Sequence, residues 1–140
     1  MSAKQNVFRL TIRSNPQHIG KVESFLNKVN RTLHLDEIQF HKLMVSVTEA
    51  VNNAIIHGNK SNPLKKVFVR CEIRPGWLVL FVSDQGKGFK VDRVSSPIKD
   101  ENVLKDSGRG IFLMKTLMDK VTFDVSSSGV QVQLWLDLSK

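Results

Sequence analysis

The sequence predicts an α+β fold of two layers, a mixed and mainly antiparallel sheet with helices on one face. Three observations carry that expectation. Strands occur as neighbours with short links: Lys65–Arg74 and Trp77–Asp84 are separated only by Pro75-Gly76, and Val121–Val125 and Val130–Leu138 by Ser126–Gly129. Links this short close antiparallel hairpins and leave no room for a crossover. Two helical periods stand between the first strand and the first hairpin, and a short one precedes the second hairpin. Helices set between strand pairs in this way cover one face of a sheet.

Each element has its own signal. Val7–Arg13 alternates, with Phe8, Leu10 and Ile12 on one face. Asn15-Pro16 is a helix start, with Asn as cap and Pro in the first turn. Ile19, Val22, Phe25, Leu26, Val29 and Leu33 then recur at helical spacing. Asp36 followed by Gln39 forms a capping box, and a long helix runs from there to Gly58, its stop. Its apolar stripe is Phe40, Met44, Val47, Val51, Ala54 and Ile55. WLVLFVSD, Trp77–Asp84, is apolar on both faces and belongs in the middle of a sheet. Residues 85–109 hold three glycines, a proline and mixed charge without period, and about 89–107 is expected to be a lid. Ile111–Met118 is a short helix opening after Gly108-Arg109-Gly110.

Composition bounds the function. The 140 residues form one expected domain, large enough for a hydrophobic core, with 41% hydrophobic and 24% charged residues. No apolar run reaches membrane-spanning length, and MSAKQNVFRL enters a strand pattern without a signal-peptide core. Cys71 is the only cysteine, which excludes an internal disulfide and a thiolate metal cluster; it alternates in phase with Val67, Val69 and Ile73, as a buried strand residue would. A reducing cytoplasm fits. The net charge of +8 raises nucleic acid as a partner, but the surplus is spread along the chain. Residues 1–31 carry six basic groups against Glu23, 59–74 five against Glu72, and 85–120 eight against five acids. No basic run and no aromatic–basic interleaving occurs along the sequence, so phosphate-bearing ligands or an acidic protein suit the charge better than direct nucleic-acid contact.

Three short stretches carry chemistry. Glu49 and Asn53 lie one turn apart on the helix face opposite the apolar stripe, with Ser46 and His57 beside them. Asp84-Gln85-Gly86-Lys87-Gly88 stands where the central strand ends: a carboxylate there accepts from an exocyclic amine, and glycines admit close approach of a ligand. Ser107-Gly108-Arg109-Gly110 opens a helix, aiming backbone N–H groups and a guanidinium at an anion. Singly, each is also what a solvated helix face or an ordinary turn looks like. No P-loop, G-x-G-x-x-G turn, zinc-site histidine spacing or Ser–His–Asp arrangement accompanies them.

Together and in order, they resemble the boxes of the GHKL ATPase/kinase superfamily. Glu49-Ala-Val-Asn-Asn53-Ala-Ile-Ile-His57-Gly58 is similar to its N-box, Asp84-x-Gly86-x-Gly88 to its first glycine box and Gly108-x-Gly110 to its second. EAVNNAIIHGN, the compact lid and GRGIFLMKTLMD resemble most the RsbW-like branch of small bacterial serine-protein kinases and anti-sigma factors. The resemblance implies a Bergerat-type α/β sandwich holding ATP between the helical layer and the lid. It implies Asn53 as the ligand of Mg²⁺ bridging the phosphates and Glu49 as the general base toward an acceptor hydroxyl. Asp84 would receive the adenine amine, Gly86 and Gly88 shape the base pocket, and Gly108, Arg109 and Gly110 close over the phosphates. Mg²⁺ is satisfied by few protein oxygens when phosphate and water supply the rest. One residue departs from the pattern: relatives often carry Thr where Val130 stands, which removes a hydroxyl that helps hold adenine through water.

The activity this implies is ATP-dependent phosphorylation of a serine on a small anti-anti-sigma antagonist of STAS type, coupled to sequestration of a sigma factor, in a chain that forms a homodimer. A non-catalytic, ATP-gated module that sequesters a regulatory partner is the alternative, and an intact Glu49 speaks against it. A histidine-kinase catalytic domain lacks room here for a dimerising helical hairpin, and no His stands in a His-Glu or His-Asp pair.

Overall fold

The computed structural model describes residues 6–86 and 109–139. Lys87, Gly88, the expected lid at 89–107 and Gly108 lie outside the described residues. Strands β1 (Val7–Arg13), β2 (Lys66–Arg74), β3 (Trp77–Ser83), β4 (Lys120–Ser126) and β5 (Gly129–Asp137) form a sheet in the order β1-β2-β3-β5-β4, with every pairing antiparallel. Helices α1 (Ile19–Leu33), α2 (Glu37–Asn53) and α3 (109–117) cover one face, which gives the α+β sandwich. As its two-sided apolar pattern requires, β3 is the middle strand.

The local rules operate at the helix starts. The Asn15 side chain accepts from Gln17 N at 2.9 Å, opening a 3₁₀ turn at Pro16–His18 that leads into α1. The Asp36 carboxylate accepts from Gln39 N at 2.7 Å and caps α2. Between the two helices His34 takes a left-handed conformation, φ 55°, and ends α1. Val22, Phe25, Leu26 and Val29 of α1 meet Leu43, Val47, Ala50 and Val51 of α2 over Val69, Cys71, Leu80, Val82, Val132 and Leu134 of the sheet. Ile111, Met114 and Met118 close the core from α3 and its end. Burial, followed by the neighbouring charge of Glu72, pushes the Cys71 thiol up to about 12. No helix among the described residues is long and apolar enough to cross a membrane.

The long helix differs from expectation in two ways. It is α-helical only to Asn53; Ala54–Gly58 is a π turn, closed by Asn59 N donating to Ala54 O at 2.8 Å. Its buried face is also wider than the expected stripe of Phe40, Met44, Val47, Val51, Ala54 and Ile55, because α2 packs against both the sheet and α1. Phe40 and Met44 are only partly buried, while Ser46, expected on the polar face, is fully buried with no hydrogen-bond partner for its hydroxyl among the described residues.

On the sheet's other face, cations cover the rings. The Arg70 guanidinium lies 4.0 Å over Phe81, Arg74 5.4 Å over Trp135, and Lys120 5.2 Å over the same indole. Glu72 pairs with both arginines at 2.7 Å.

Candidate functional site

Asp84 follows the last residue of β3, where the strand leaves the core. Its main chain still pairs with β5, Asp84 N donating to Val130 O at 3.1 Å. Its side chain turns back on itself: Oδ1 accepts from Gly86 N at 3.0 Å and from Val130 N at 3.2 Å. Both donors thus converge on one oxygen, and Oδ2 is left without a donor among the described residues. Burial raises the carboxyl's pKa above its ordinary value, opposed by the Gly86 and Val130 N–H groups and by the charge of Lys65.

Three glycines make this seat. A Cβ on Gly58 would fall 2.1 Å from Asp84 Oδ2, and one on Gly86 2.0 Å from Gly58 O. Gly129, at φ 147°, would place a Cβ 2.5 Å from Asp84 O and 2.9 Å from Oδ1. All three are required by close approach rather than by loop flexibility. The helical run does end at Gly58, as expected, but not in a left-handed conformation. That conformation falls later, on Lys60 and Ser61, at φ 54° and 55°. Val130 contributes its backbone N–H, so the missing threonine hydroxyl leaves the seat of Asp84 intact.

A second group forms where α3 begins. Gly110 is buried and stands against α2: a Cβ there would lie 2.8 Å from Glu49 Oε2 and 3.4 and 3.6 Å from the Asn53 amide nitrogen and oxygen. The glycine of the second box and the two polar residues of the first are thereby brought together, though 57 to 61 positions separate them in the chain. Asn53 Nδ2 is buried without a hydrogen-bond partner among the described residues. A buried amide nitrogen of this kind is a group that a ligand or solvent would satisfy. No cluster of three or more His, Cys, Asp or Glu able to hold a metal occurs among the described residues. A metal here would rest on an amide oxygen together with ligand oxygens, a donor set that suits Mg²⁺. Arg109 is exposed at the first position of α3. His57 lies in the π turn, beyond α2 itself.

Asn59 and Gly129 are the members of the site to which the sequence assigns no role, and Gly58 is read from it only as a helix stop and the end of a box. Asn59 is 1% exposed; it accepts from Gln85 N at 2.7 Å, donates to Lys66 O at 2.9 Å and donates to the Ser14 hydroxyl. A signal was available in the tripeptide His57-Gly58-Asn59 at the end of a box, and in a glycine directly before the last strand.

A helical layer over such a sheet, with these two groups at its rim, is the architecture of an ATPase domain. The chain belongs to the histidine kinase-like ATPase domain family, whose model matches residues 12–136. Within the family it is similar to the serine-protein kinase RsbW of Bacillus velezensis, 29% identical over 140 residues that cover 96% of this chain and 87% of the relative. It is 32% identical over 122 residues to the anti-sigma F factor of Oceanobacillus iheyensis, covering 85% of this chain and 81% of that one. Among solved structures, the RsbU and RsbW domains of a Mycobacterium tuberculosis protein superpose with a TM-score of 0.72 at 14% identity. That match spans 96% of this chain and 33% of the longer one. A blue-light activated histidine kinase of Erythrobacter litoralis gives 0.60 at 17% identity, over 89% of this chain and 42% of that one, a likeness of fold.

Proposed function

We propose that this chain is an ATP-dependent protein-serine kinase that acts as an anti-sigma factor in a partner switch. It phosphorylates a small anti-anti-sigma antagonist of STAS type and holds a sigma factor when the antagonist is phosphorylated. The observation that carries this reading is the junction of Glu49, Asn53 and Gly110, where the polar face of α2 meets the opening of α3. Similarity to relatives named serine-protein kinase and anti-sigma F factor supports the protein class.

In this reading Asp84 Oδ2 accepts from the exocyclic amine of adenine, while Gly86 and Val130 hold Oδ1. Gly86 and Gly88 shape the base pocket, and Gly108, Arg109 and Gly110 attend the phosphates. Asn53 provides the protein oxygen for Mg²⁺, which supplies neutralisation of phosphate charge when bound. Glu49 takes the proton of the acceptor serine as its oxygen bonds to the γ-phosphorus; the bond from that phosphorus to the β–γ bridging oxygen breaks, and ADP leaves. Phosphoryl transfer asks chiefly for positioning and charge stabilisation, which such a site provides. The chain works as one domain and as a homodimer, in the cytoplasm, and touches no nucleic acid itself.

The test is calorimetry with ATP and Mg²⁺, followed by transfer of labelled γ-phosphate to a cognate antagonist. Binding at micromolar to millimolar affinity, about −8 to −4 kcal/mol, and label on an antagonist serine are expected. Binding without transfer to any cognate antagonist would favour the non-catalytic module.

A further inference from the structure

Strands β2 and β3 are joined by the two-residue turn Pro75-Gly76, so the flanking pair Arg74↔Trp77 is of the mutually hydrogen-bonded kind. Every second pair along the ladder repeats it: Glu72↔Val79, Arg70↔Phe81 and Phe68↔Ser83. The next would be Lys66 with Gln85, exchanging two main-chain bonds. Neither bond is made in that form. The Asn59 carboxamide stands between the strands instead, its Oδ1 accepting from Gln85 N at 2.7 Å and its Nδ2 donating to Lys66 O at 2.9 Å. Lys66 N donates to the side chain of Gln85, at 2.7 Å to Oε1.

One amide from the end of the π turn is therefore inserted into the ladder. It satisfies Gln85 N and Lys66 O, the two ends of one of the bonds that pairing would have made, and it stands where residues 84–86 leave β2. That segment comes to rest on the π turn, where Gly86 packs on Gly58 O and the Asp84 carboxylate on the face of Gly58. The amide is itself fixed, through Nδ2 to the Ser14 hydroxyl and by burial to 1% exposure. The chain just beyond holds two non-glycine residues in the left-handed region, Lys60 and Ser61, a conformation that L side chains rarely adopt. Ser61 N to Ile55 O at 2.7 Å and Asn62 N to Asn59 O at 3.0 Å hold that bend.

We propose that Asn59 is a positioning residue for nucleotide-base recognition: by splitting the end of the β2–β3 ladder, its amide sets where the Asp84 carboxylate meets the amine of the base. The proposal rests on the reading of Asp84 as the acceptor of that amine. The general ground is that a misplacement of about 1 Å in a hydrogen-bonding group costs binding or rate far more than it costs the fold.

The experiment compares affinity for ATP with affinity for purine riboside triphosphate, which lacks the exocyclic amine, by calorimetry on folded protein. The wild type should prefer ATP. Asn59→Ala should cut that preference about tenfold while changing the affinity for the amine-free nucleotide less than about twofold, as expected when one hydrogen bond is misaligned. Gly20→Ala, in α1 and clear of this junction, should leave the preference intact. Should Asn59→Ala fail to fold, Asn59→Asp keeps the acceptor for Gln85 N–H but sets an oxygen against Lys66 O in place of the donating nitrogen, and should cut the preference as Asn59→Ala does. If the Asn59 variant that folds keeps the full preference, or weakens both nucleotides equally, Asn59 is only a structural residue. A wild type that binds both nucleotides alike overturns the Asp84 reading instead, and this proposal with it.

Discussion

Gly58→Ala tests the seat of Asp84 with the smallest possible change. The added carbon would lie 2.1 Å from Oδ2, 2.4 Å from Cγ and 2.9 Å from Cβ of Asp84. Carbon contacts are comfortable at about 3.5–4 Å, so the carboxylate must retreat by roughly 1 Å or more. It has little room to do so, since Oδ1 is tied to Gly86 N at 3.0 Å and Val130 N at 3.2 Å. Moving breaks one of these, leaving an unpaired N–H at about 1–3 kcal/mol, with overpacking of similar size. The fold should lose about 2–4 kcal/mol, and ATP affinity about 10–100-fold as the bond from the adenine amine to a charged acceptor is lost. Calorimetry with ATP and thermal unfolding measure the two effects separately. Gly20→Ala is the control: nothing lies within 4 Å of its Cβ in α1, and it should stabilise by about 0.5–1 kcal/mol without touching ATP binding. Gly58→Ala binding ATP like the wild type would refute the reasoning.

Other outcomes follow from the same geometry. Gly110→Ala places a Cβ 2.8 Å from Glu49 Oε2, a movable side-chain end; it should slow phosphoryl transfer while leaving the preference for ATP over an amine-free nucleotide unchanged, as single-turnover rates and calorimetry would show. Burial raises the Asp84 pKa, and in the proposed reading the adenine amine binds the ionised form, so ATP affinity should fall as pH drops through that raised value, approaching tenfold per pH unit below it. For the nucleotide-free fold the sign is the reverse of a salt-bridged carboxylate. The folded state holds the proton more tightly, so the contribution of Asp84 is most favourable below its ordinary 3.8 and declines as pH rises from there through the raised value. Asp84→Asn should flatten that part of a stability–pH curve. Ser61→Gly relieves a left-handed φ of 55° and should raise unfolding stability by about 0.5–1 kcal/mol in a denaturant titration.

What sequence reasoning could read was whatever is written at short range. Period two gives the strands, and apolarity on both faces of Trp77–Ser83 gives its central place. Spacing of four puts Glu49 and Asn53 on one side of α2, as found against Gly110. The π turn was hidden, because five residues with i→i+5 bonding leave no periodic trace different from one more helical turn. Ser46 is polar by type yet lies in an apolar environment, because α2 buries a face wide enough to include it. Gly58 and Gly129 have the look of punctuation in the sequence; the reason for their missing side chains is Asp84, far off in the chain. Asn59 resembled a loop residue, since its partners Ser14, Lys66 and Gln85 come from three separate strand ends.

The central claim is that the Glu49–Asn53 pair works on phosphate, one member on the acceptor and the other on the metal-bound nucleotide. The most direct measurement is paired ATP affinity and single-turnover phosphoryl transfer to a cognate antagonist, for wild type, Glu49→Gln and Asn53→Ala. Glu49→Gln should keep ATP affinity and lose about 10²–10⁴-fold in transfer rate, the usual contribution of a general base. Asn53→Ala should weaken Mg²⁺-dependent ATP binding itself. Transfer by Glu49→Gln at the wild-type rate would contradict the account.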